Sequence, residues 1–492
     1  MFLSRRAASL AALAAAVSLA GCKPVGPNYS QPRVTAPPAY SESGGKDTLP
    51  PPPNPNGGTW QPASPSDGML RGTWWTIYND PELNRLEELV TPNNQNLHAA
   101  MQLYLAAHDA VTAARSQLYP TLSVGSSVSH SKLSAHRPLS TDPSASPNFN
   151  DLLISGQASW EPDFWGRIRR TVEAARANAQ ATAADTATLD LAFHAELAQD
   201  YFEVRGLDAQ SSLLQSTVTD YENQLDLTRK LLANGIGTEV DVAQARTQLQ
   251  TLRAQLIDIQ QARAQVRHAI ATLVNLEAGQ LTLPPAPLEG NPPQVPLGVP
   301  SQLIQRRPDV AAAERRVAQA NAQIGIAVSA FYPDITLGGS GGFESTHGGT
   351  WIQGPSSLWS LGAQAAELLF DAGQRRALTS QAQHLYEAQA ATYKATVLAA
   401  FNEVEDRLSD LRILEQESAA ERLAVADAER SLALSTQRYQ GGVTSYLEVL
   451  TAESTLLQNQ RALTDLETRR YAASVGLVRA LGGGWDVSQL PK

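Results

Sequence analysis

Apolar residues follow two rhythms along this chain. From Gly166 to about Ala233 they recur at helical spacing, and Leu214, Val218, Tyr221, Leu225 and Leu232 trace a heptad seam. The run is roughly 65 residues, or about 100 Å at the helical rise, too long for a globular domain of this size to hide. An elongated molecule is therefore expected. After Gly235 the return helix carries a cleaner seam: Val242, Ala245, Leu249, Leu252, Leu256, Ile259, Val266, Ile270 and Leu273, with Arg263 its one polar member. Alternating steps of three and four are those of coiled-coil packing. A later seam, from Val449 through Leu456, Leu463 and Leu466 to Leu477, is interrupted by Asn459 and Arg470, which suits either helices facing a wet or movable neighbour or solvated irregularities.

The second rhythm has period two. Leu122, Val124, Ser126, Val128 and His130 alternate, as do Ile154, Gly156, Ala158 and Trp160. Ile335, Leu337 and Gly339 repeat the pattern, and so do Trp359, Leu361, Ala363 and Ala365. Four strands are predicted, each with one apolar face and one small or polar face; periodicity alone fits a pair of ordinary soluble hairpins as well as membrane strands. Ahead of them, Asp80 as N-cap and Pro81 as first helical residue begin a helix expected to reach about Leu118, with Pro92 a candidate break. Trp74, Trp75 and Tyr78 should pack on it, and Tyr119-Pro120 ends it.

The pattern is duplicated. Leu232 to Leu249 reads LANGIGTEVDVAQARTQL, and Arg438 to Leu456 reads RYQGGVTSYLEVLTAESTL. With Gly235 on Gly442, Asp241 falls on Glu448, Val242 on Val449, Ala245 on Ala452 and Leu249 on Leu456. The same shift of about 207 residues carries Gly166 onto Gly373, and a slightly larger one carries Tyr119-Pro120 onto Tyr332-Pro333. So long a period means a duplicated, domain-sized hairpin rather than a solenoid unit. Glycine supplies the left-handed backbone at which each helix stops and reverses. The expected divisions are a first repeat at 80–283, a Pro-rich crossing at 284–300, a second repeat at 301–485 and a tail at 486–492.

Aromatic residues mark the strand ends. Trp160, Phe164 and Trp165 cluster where the second strand stops and Tyr119 lies where the first starts; Phe331, Tyr332 and Phe370 repeat the arrangement. Hairpin geometry sets these at one level, as an interfacial girdle requires. Four strands cannot close a transmembrane barrel, whose lower limit is about eight, and open edges are not tolerated in lipid. Identical chains must then pool strands, as a dimer with eight or a trimer with twelve.

Composition agrees with long helices rather than a large core: 6% of the 492 residues are aromatic and 42% hydrophobic. A formal charge of −10 and the lack of a basic stripe argue against a nucleic-acid partner. The single cysteine, Cys22, rules out internal disulfides and cysteine-rich metal sites. It follows Arg5-Arg6 and an apolar run from Ala7 to Leu19, so residues 1–21 read as a signal peptide. Leu19-Ala20-Gly21-Cys22 resembles a bacterial lipobox, which would make Cys22 the acylated (palmitate-bearing) first residue of the mature chain. Lys23 after it, in place of the retention aspartate, points to the outer membrane. Residues 22–79 should form a lipidated N-terminal segment. From Lys23 to about Ser66 it is rich in Pro, Gly and Ser, including Pro50 to Pro53, and should run extended along the surface.

Several landmarks carry a resemblance. Lys23-Pro24-Val25-Gly26-Pro27-Asn28-Tyr29 is one, Trp74-Trp75 another. The most specific is Arg306-Arg307-Pro308-Asp309-Val310 with Ala313-Glu314 and Ala330-Phe331-Tyr332-Pro333-Asp334-Ile335. With the lipobox and both Gly turns they resemble the lipoprotein branch (NodT/OprM-like) of the TolC-like outer-membrane factors, over nearly the whole mature chain. The resemblance implies a mainly α protein with membrane β: duplicated long-helix hairpins forming a periplasmic α-barrel, and four strands per chain in a trimeric, twelve-stranded transmembrane β-barrel. It implies a homotrimeric exit duct for drugs or toxic compounds, working with a periplasmic adaptor and an inner-membrane pump. It further implies that the Gly turns are the periplasmic tips. There Tyr439, Glu448 and Asp241 match pore or gate residues, and Gly235, Val240, Gly442 and Leu447 line grooves for the adaptor. Thr444 and Thr451 stand where the family carries a gate-bracing arginine and a second pore acid.

No catalytic constellation emerges. Gly338-Gly339-Ser340-Gly341-Gly342 fits the letters of a nucleophile elbow but lies in a Gly-rich strand or loop, without the strand-to-helix turn that the motif needs. The eight His lack metal spacing, and no phosphate loop occurs, so neither enzyme activity nor a cofactor is expected. The rival readings are a protein-secretion duct of the same fold and a non-channel periplasmic coiled-coil lipoprotein.

Overall fold

Asp80 accepts from the backbone N–H groups of Glu82 and Leu83 at 2.9 and 3.0 Å, and with Pro81 at the first position it starts helix α1, Pro81–Asn93. The computed structural model describes residues 23–37, 39–43, 72–132, 134, 148–288, 290–295 and 304–491. Residues 1–21, expected to be a signal peptide, Cys22 and Pro50 to Pro53 lie outside the described residues. The helix breaks near Pro92, as expected, at Asn94 two residues on. Pro92 is accommodated in the last turn of α1, while the Asn94 side chain accepts from Asn96 and Leu97 N–H and caps α2, Gln95–Ser116.

After α2 the chain forms β1 (Thr121–Lys132), β2 (Asn148–Trp160), α3 (Arg167–Ala233) and α4 (Glu239–Leu273). The second half repeats this with α5 (Pro308–Ser329), β3 (Asp334–Ser345), β4 (Ser357–Ala366), α6 (Gln374–Gln440) and α7 (Tyr446–Ala480). Most elements of the copies match in length, although β2 has 13 residues and β4 has 10. α3 and α6 are both 67 residues, α4 and α7 both 35, α2 and α5 both 22, and β1 and β3 both 12. Among the described residues no helix is long and apolar enough to cross a membrane.

The chain divides into two compact units. One comprises residues 33–103, 183–312 and 394–492. Its core gathers Trp74, Trp75, Leu83, Leu86, Val90, Tyr201, Phe202, Ile270 and Tyr471, so the Trp pair packs on the helix it precedes and on α3, α4 and α7 as well. Two of the arginines that interrupt the seams hold the chain at the Pro-rich crossing and its approach. Arg263 pairs with Asp208 at 2.5 Å and donates to Leu283 O at 2.8 Å; Arg470 donates to Asn291 at 2.8 Å. Arg205 reaches Pro284 O at 2.7 Å. Arg470 is buried, so a wet neighbour is not the reason for that interruption.

The other unit comprises residues 1–32, 104–182 and 313–393. It holds a four-stranded antiparallel sheet in the order β1-β2-β3-β4. It also holds an N-terminal strap, Lys23 to Gln31, which is fixed rather than merely extended. Arg170, itself buried, donates to Val25 O, Gly26 O and Asn28 Oδ1 at 3.2, 3.3 and 2.9 Å. Asn321 donates to Pro27 O at 3.0 Å, the Tyr29 hydroxyl bonds Glu314, and Gln31 reaches the Tyr393 hydroxyl at 3.1 Å.

Candidate functional site: an open sheet and two helical tips

The sheet register sorts its residues by chemistry. Leu122, Ala158, Gly339 and Leu361 stand abreast, followed by Val124, Gly156, Gly341 and Trp359. Trp160, Leu337 and Ala363 form a row on the same face. The alternate rows are polar: Ser123, Gln157, Ser340 and Ser360 lie abreast, with the Ser340 and Ser360 hydroxyls 2.8 Å apart. Leu122, Val124, Val128, Trp359 and Leu361 are all exposed. A soluble sheet would bury that face against helices; this one presents it outward. β1 and β4 are edge strands with unpaired backbone groups.

At the lower end of the sheet the expected aromatics divide. Trp160 donates its indole N–H to Leu118 O at 3.0 Å. Trp165 stacks on Tyr332 at 4.9 Å and donates to Pro333 O at 2.8 Å. Phe164 is half-buried. Tyr119 and Phe370 are left bare, 69% and 83% exposed.

The two tips are built alike. Gly235 (φ 74°) and Gly442 (φ 68°) take the left-handed conformation that turns each helix. Ile236 N–H closes onto Leu231 O at 2.9 Å in the first tip, and Val443 N–H onto Arg438 O at 2.9 Å in the second. Between the glycine turn and the next helix the chain shows Ile236 and Val443, both 71% exposed, and Val240 and Leu447 are exposed one turn on. Below them Val242, Tyr446, Val449 and Tyr439 are buried, with the two tyrosine rings 5.5 Å apart.

The equivalent acids do different work. Asp241 closes a capping box: its carboxylate accepts from Thr238 N–H at 2.9 Å while Asp241 N–H donates to the Thr238 hydroxyl at 3.3 Å. Ser445 makes no such cap, and Glu448 instead stands 3.7 Å from Arg438. The Asp241→Ala substitution should therefore loosen the start of α4 by about 1 kcal/mol. Amide hydrogen exchange would report it, as faster exchange at Asp241 and Val242; unaltered protection would show that the box contributes nothing. A groove of about 540 Å³ runs beside the second tip, lined by Ser431, Ser435, Leu447, Glu448 and Thr451.

Sequence reasoning missed Ile236 and Val443, although an apolar residue beside a turn glycine in both copies was a readable signal. It also missed Arg170, whose part in holding the strap depends on contacts across about 140 residues of chain that no local pattern records. Among the described residues no group of His, Cys, Asp and Glu could hold a metal ion.

Comparison with known proteins agrees with this architecture. The outer membrane efflux protein family matches residues 88–276 and 299–483, one segment per repeat. The pyoverdine export outer membrane protein OpmQ of Pseudomonas aeruginosa is 30% identical over 427 residues, spanning 86% of this chain and 90% of that protein. The toluene efflux pump outer membrane protein TtgF of Pseudomonas putida is 29% identical over 480 residues, 96% of each chain. Among solved structures, the outer-membrane channel OprN superposes with a TM-score of 0.84 at 28% identity, over 94% of this chain and 99% of that one. VceC from Vibrio cholerae gives a TM-score of 0.79 at 28% identity, over 85% of this chain and 100% of that one. Together the two matched segments cover most of the sequence: this chain belongs to the outer membrane efflux protein family.

Proposed function

We propose that the protein is a passive exit duct in the outer membrane, through which a tripartite efflux system discharges small toxic compounds. One observation carries the reading: a four-stranded sheet with a bare apolar face, on which Leu122, Val124, Val128, Trp359 and Leu361 are exposed, ending in two open edges. Such a sheet is tolerated in lipid only when sister chains complete a cylinder. Three copies supply twelve strands, and α3, α4, α6 and α7 of each carry the conduit into the periplasm, anchored also by acyl chains on Cys22. The repeats at 80–283 and 301–485 are then two equivalent staves per subunit. Energy comes from an inner-membrane pump coupled through a periplasmic adaptor, whose hairpins seat around Gly235, Val240, Gly442 and Leu447. Outer-membrane fractionation with heat-modifiable trimers on gels tests the placement, and sensitivity of a deletion strain to a panel of toxic compounds tests the transport. A soluble periplasmic monomer would overturn the reading.

Glu448, free of any capping bond, gives the second tip an acidic lining that Asp241 and Tyr439 flank. Three such carboxylates at a narrow mouth favour cations. The Glu448→Gln channel is expected to lose part of its cation preference in planar-bilayer recordings, and an unaltered reversal potential would remove Glu448 from the gate.

A further inference from the structure

The joint between the two helical hairpins is built on apolar residues, but one acid is set into it. Leu225 of α3 and Leu249 of α4 share a core with Val449 and Leu457 of α7, and α7 also sends Glu453 there. Glu453 Oε2 is buried without a hydrogen-bond donor, and no cation pairs with the carboxylate among the described residues. The Tyr221 and Tyr439 hydroxyls and the Gln224 amide nitrogen are buried in the same part of the tip, also without a hydrogen bond. Gln248 and Thr228 stand beside those hydroxyls but outside bonding geometry. A core rarely keeps unpaired polar groups, because each gives up its water and receives no bond in exchange.

The repeat shows that a hairpin tip folds without this cluster. At the equivalent positions of the other hairpin, Arg246 stands for Glu453 and Glu239 for Tyr446, both exposed. Ala428 and Ser431 stand for Tyr221 and Gln224. We infer that Glu453 is a proton-operated latch on this joint: protonated, it permits the packing seen here; ionised, it drives the second hairpin off α3 and opens the mouth of the duct. The inference rests on the duct reading above and adds the residue that decides when the tip yields.

Among the described residues no cation faces Glu453 to compensate its charge. Asp220 on α3 acts on it and is of like sign, and Tyr446, which also acts with it, faces Tyr221, Tyr439 and Asp241. Arg438 of α6 is turned to Glu448. Burial, with Asp220 adding to it, holds the carboxyl at about 7 in the packed tip, against 4.5 in water. The packed tip therefore carries the extra proton. Its advantage is complete below about 4.5 and is lost as pH rises to about 7. Over that interval the ratio of open to packed tips grows by up to about 300-fold, roughly tenfold per pH unit.

Single-channel recordings of the full-length protein, between about pH 4.5 and about 8, decide it. The open probability of the parent channel should rise roughly tenfold or more across that range. Glu453→Gln, neutral at every pH and of nearly the same size, should stay at the parent's acid level throughout. Asp220→Asn removes the like charge and should move the midpoint of the rise to lower pH. Asp200→Asn removes another raised carboxyl, about 30 Å along the same helix from Asp220, and should keep the parent's profile. A Glu453→Gln channel that follows the parent overturns the latch and leaves the duct standing. So does a parent profile flat with pH, an unmoved midpoint in Asp220→Asn, or a rise lost in Asp200→Asn. No conductance from the parent protein at any pH overturns the latch together with the duct reading.

Discussion

Valine at Gly26 or Gly325 should release the N-terminal strap and lower the stability of the unit that carries the sheet. A Cβ on Gly26 would lie 2.5 Å from Gly325 Cα, and Gly26 sits at φ +85°, where a β-branched residue is strained. The new Cβ meets backbone atoms of Gly325, so no rotamer change relieves it. Overpacking and left-handed strain each cost about 1–3 kcal/mol. A displaced strap also strips Arg170 of the Val25 and Gly26 carbonyls and Asn28, and parts Tyr29 from Glu314. Gly325→Val meets Arg170 itself, whose Cγ would lie 2.9 Å from the new Cβ. Both variants should show fast proteolysis within residues 23–31 and a lower apparent Tm in detergent. A strap as resistant as in the parent protein, at an unshifted Tm, would show that the contact is dispensable.

That strap marks where reading along the chain stops. Local composition describes Lys23 to Ser66 as an extended Pro-rich segment, and extension is what Pro enforces; what holds residues 23–31 is a set of side chains more than 140 positions away. Elements set by short-range rules were legible. The Asp80 cap, the glycine turns at Gly235 and Gly442 and all four strands follow from propensity, left-handed backbone and period-two alternation. The duplication was legible because equivalent hairpins keep equal lengths, so that Gly166 and Gly373 both end a loop and open a 67-residue helix. The difference between Asp241 and Glu448 was not. They occupy one position in the repeat, yet Thr238 engages the first in a capping box, while Ser445 makes no cap and Glu448 stands against Arg438 instead. Arg470 misled for a related reason: a cation on an apolar seam reads as solvated until its acceptor, Asn291, is seen.

The buried pair Glu87 and His194 should make stability fall as pH rises, and the direction is the same for both partners. Glu87 is fully buried on α1, bonded to His194 Nδ1 at 2.5 Å, and Trp75 stacks on that imidazole at 4.5 Å. Burial pushes the Glu87 carboxyl up to about 7, against the pull of His194. Burial alone would depress His194, but Asp190 and Glu87 override it and hold the imidazole at about 9. Unfolded, the two titrate near 4.5 and 6.5. From about 4.5 to about 9 the native state therefore holds more protons than the unfolded one, and stability drops with rising pH across that window. Below 7 other raised carboxyls contribute to the slope: burial, with Asp220 near, lifts Glu453 to about 7, and burial, with Glu196 near, lifts Asp200 to about 6. The interval from 7 to 9 belongs to His194. Removing one partner, as in His194→Ala, leaves a buried carboxyl without its donor and should cost about 3–5 kcal/mol. Replacing both, as in Glu87→Met with His194→Phe, should restore most of the stability, since an apolar pair of similar volume often matches a buried ion pair. It should also abolish the decline of apparent Tm between pH 7 and 9 and reduce the decline below 7 to the share that Glu453 and Asp200 supply. A double variant that keeps the parent's slope above pH 7 would show that the proton on His194 does not hold this core together.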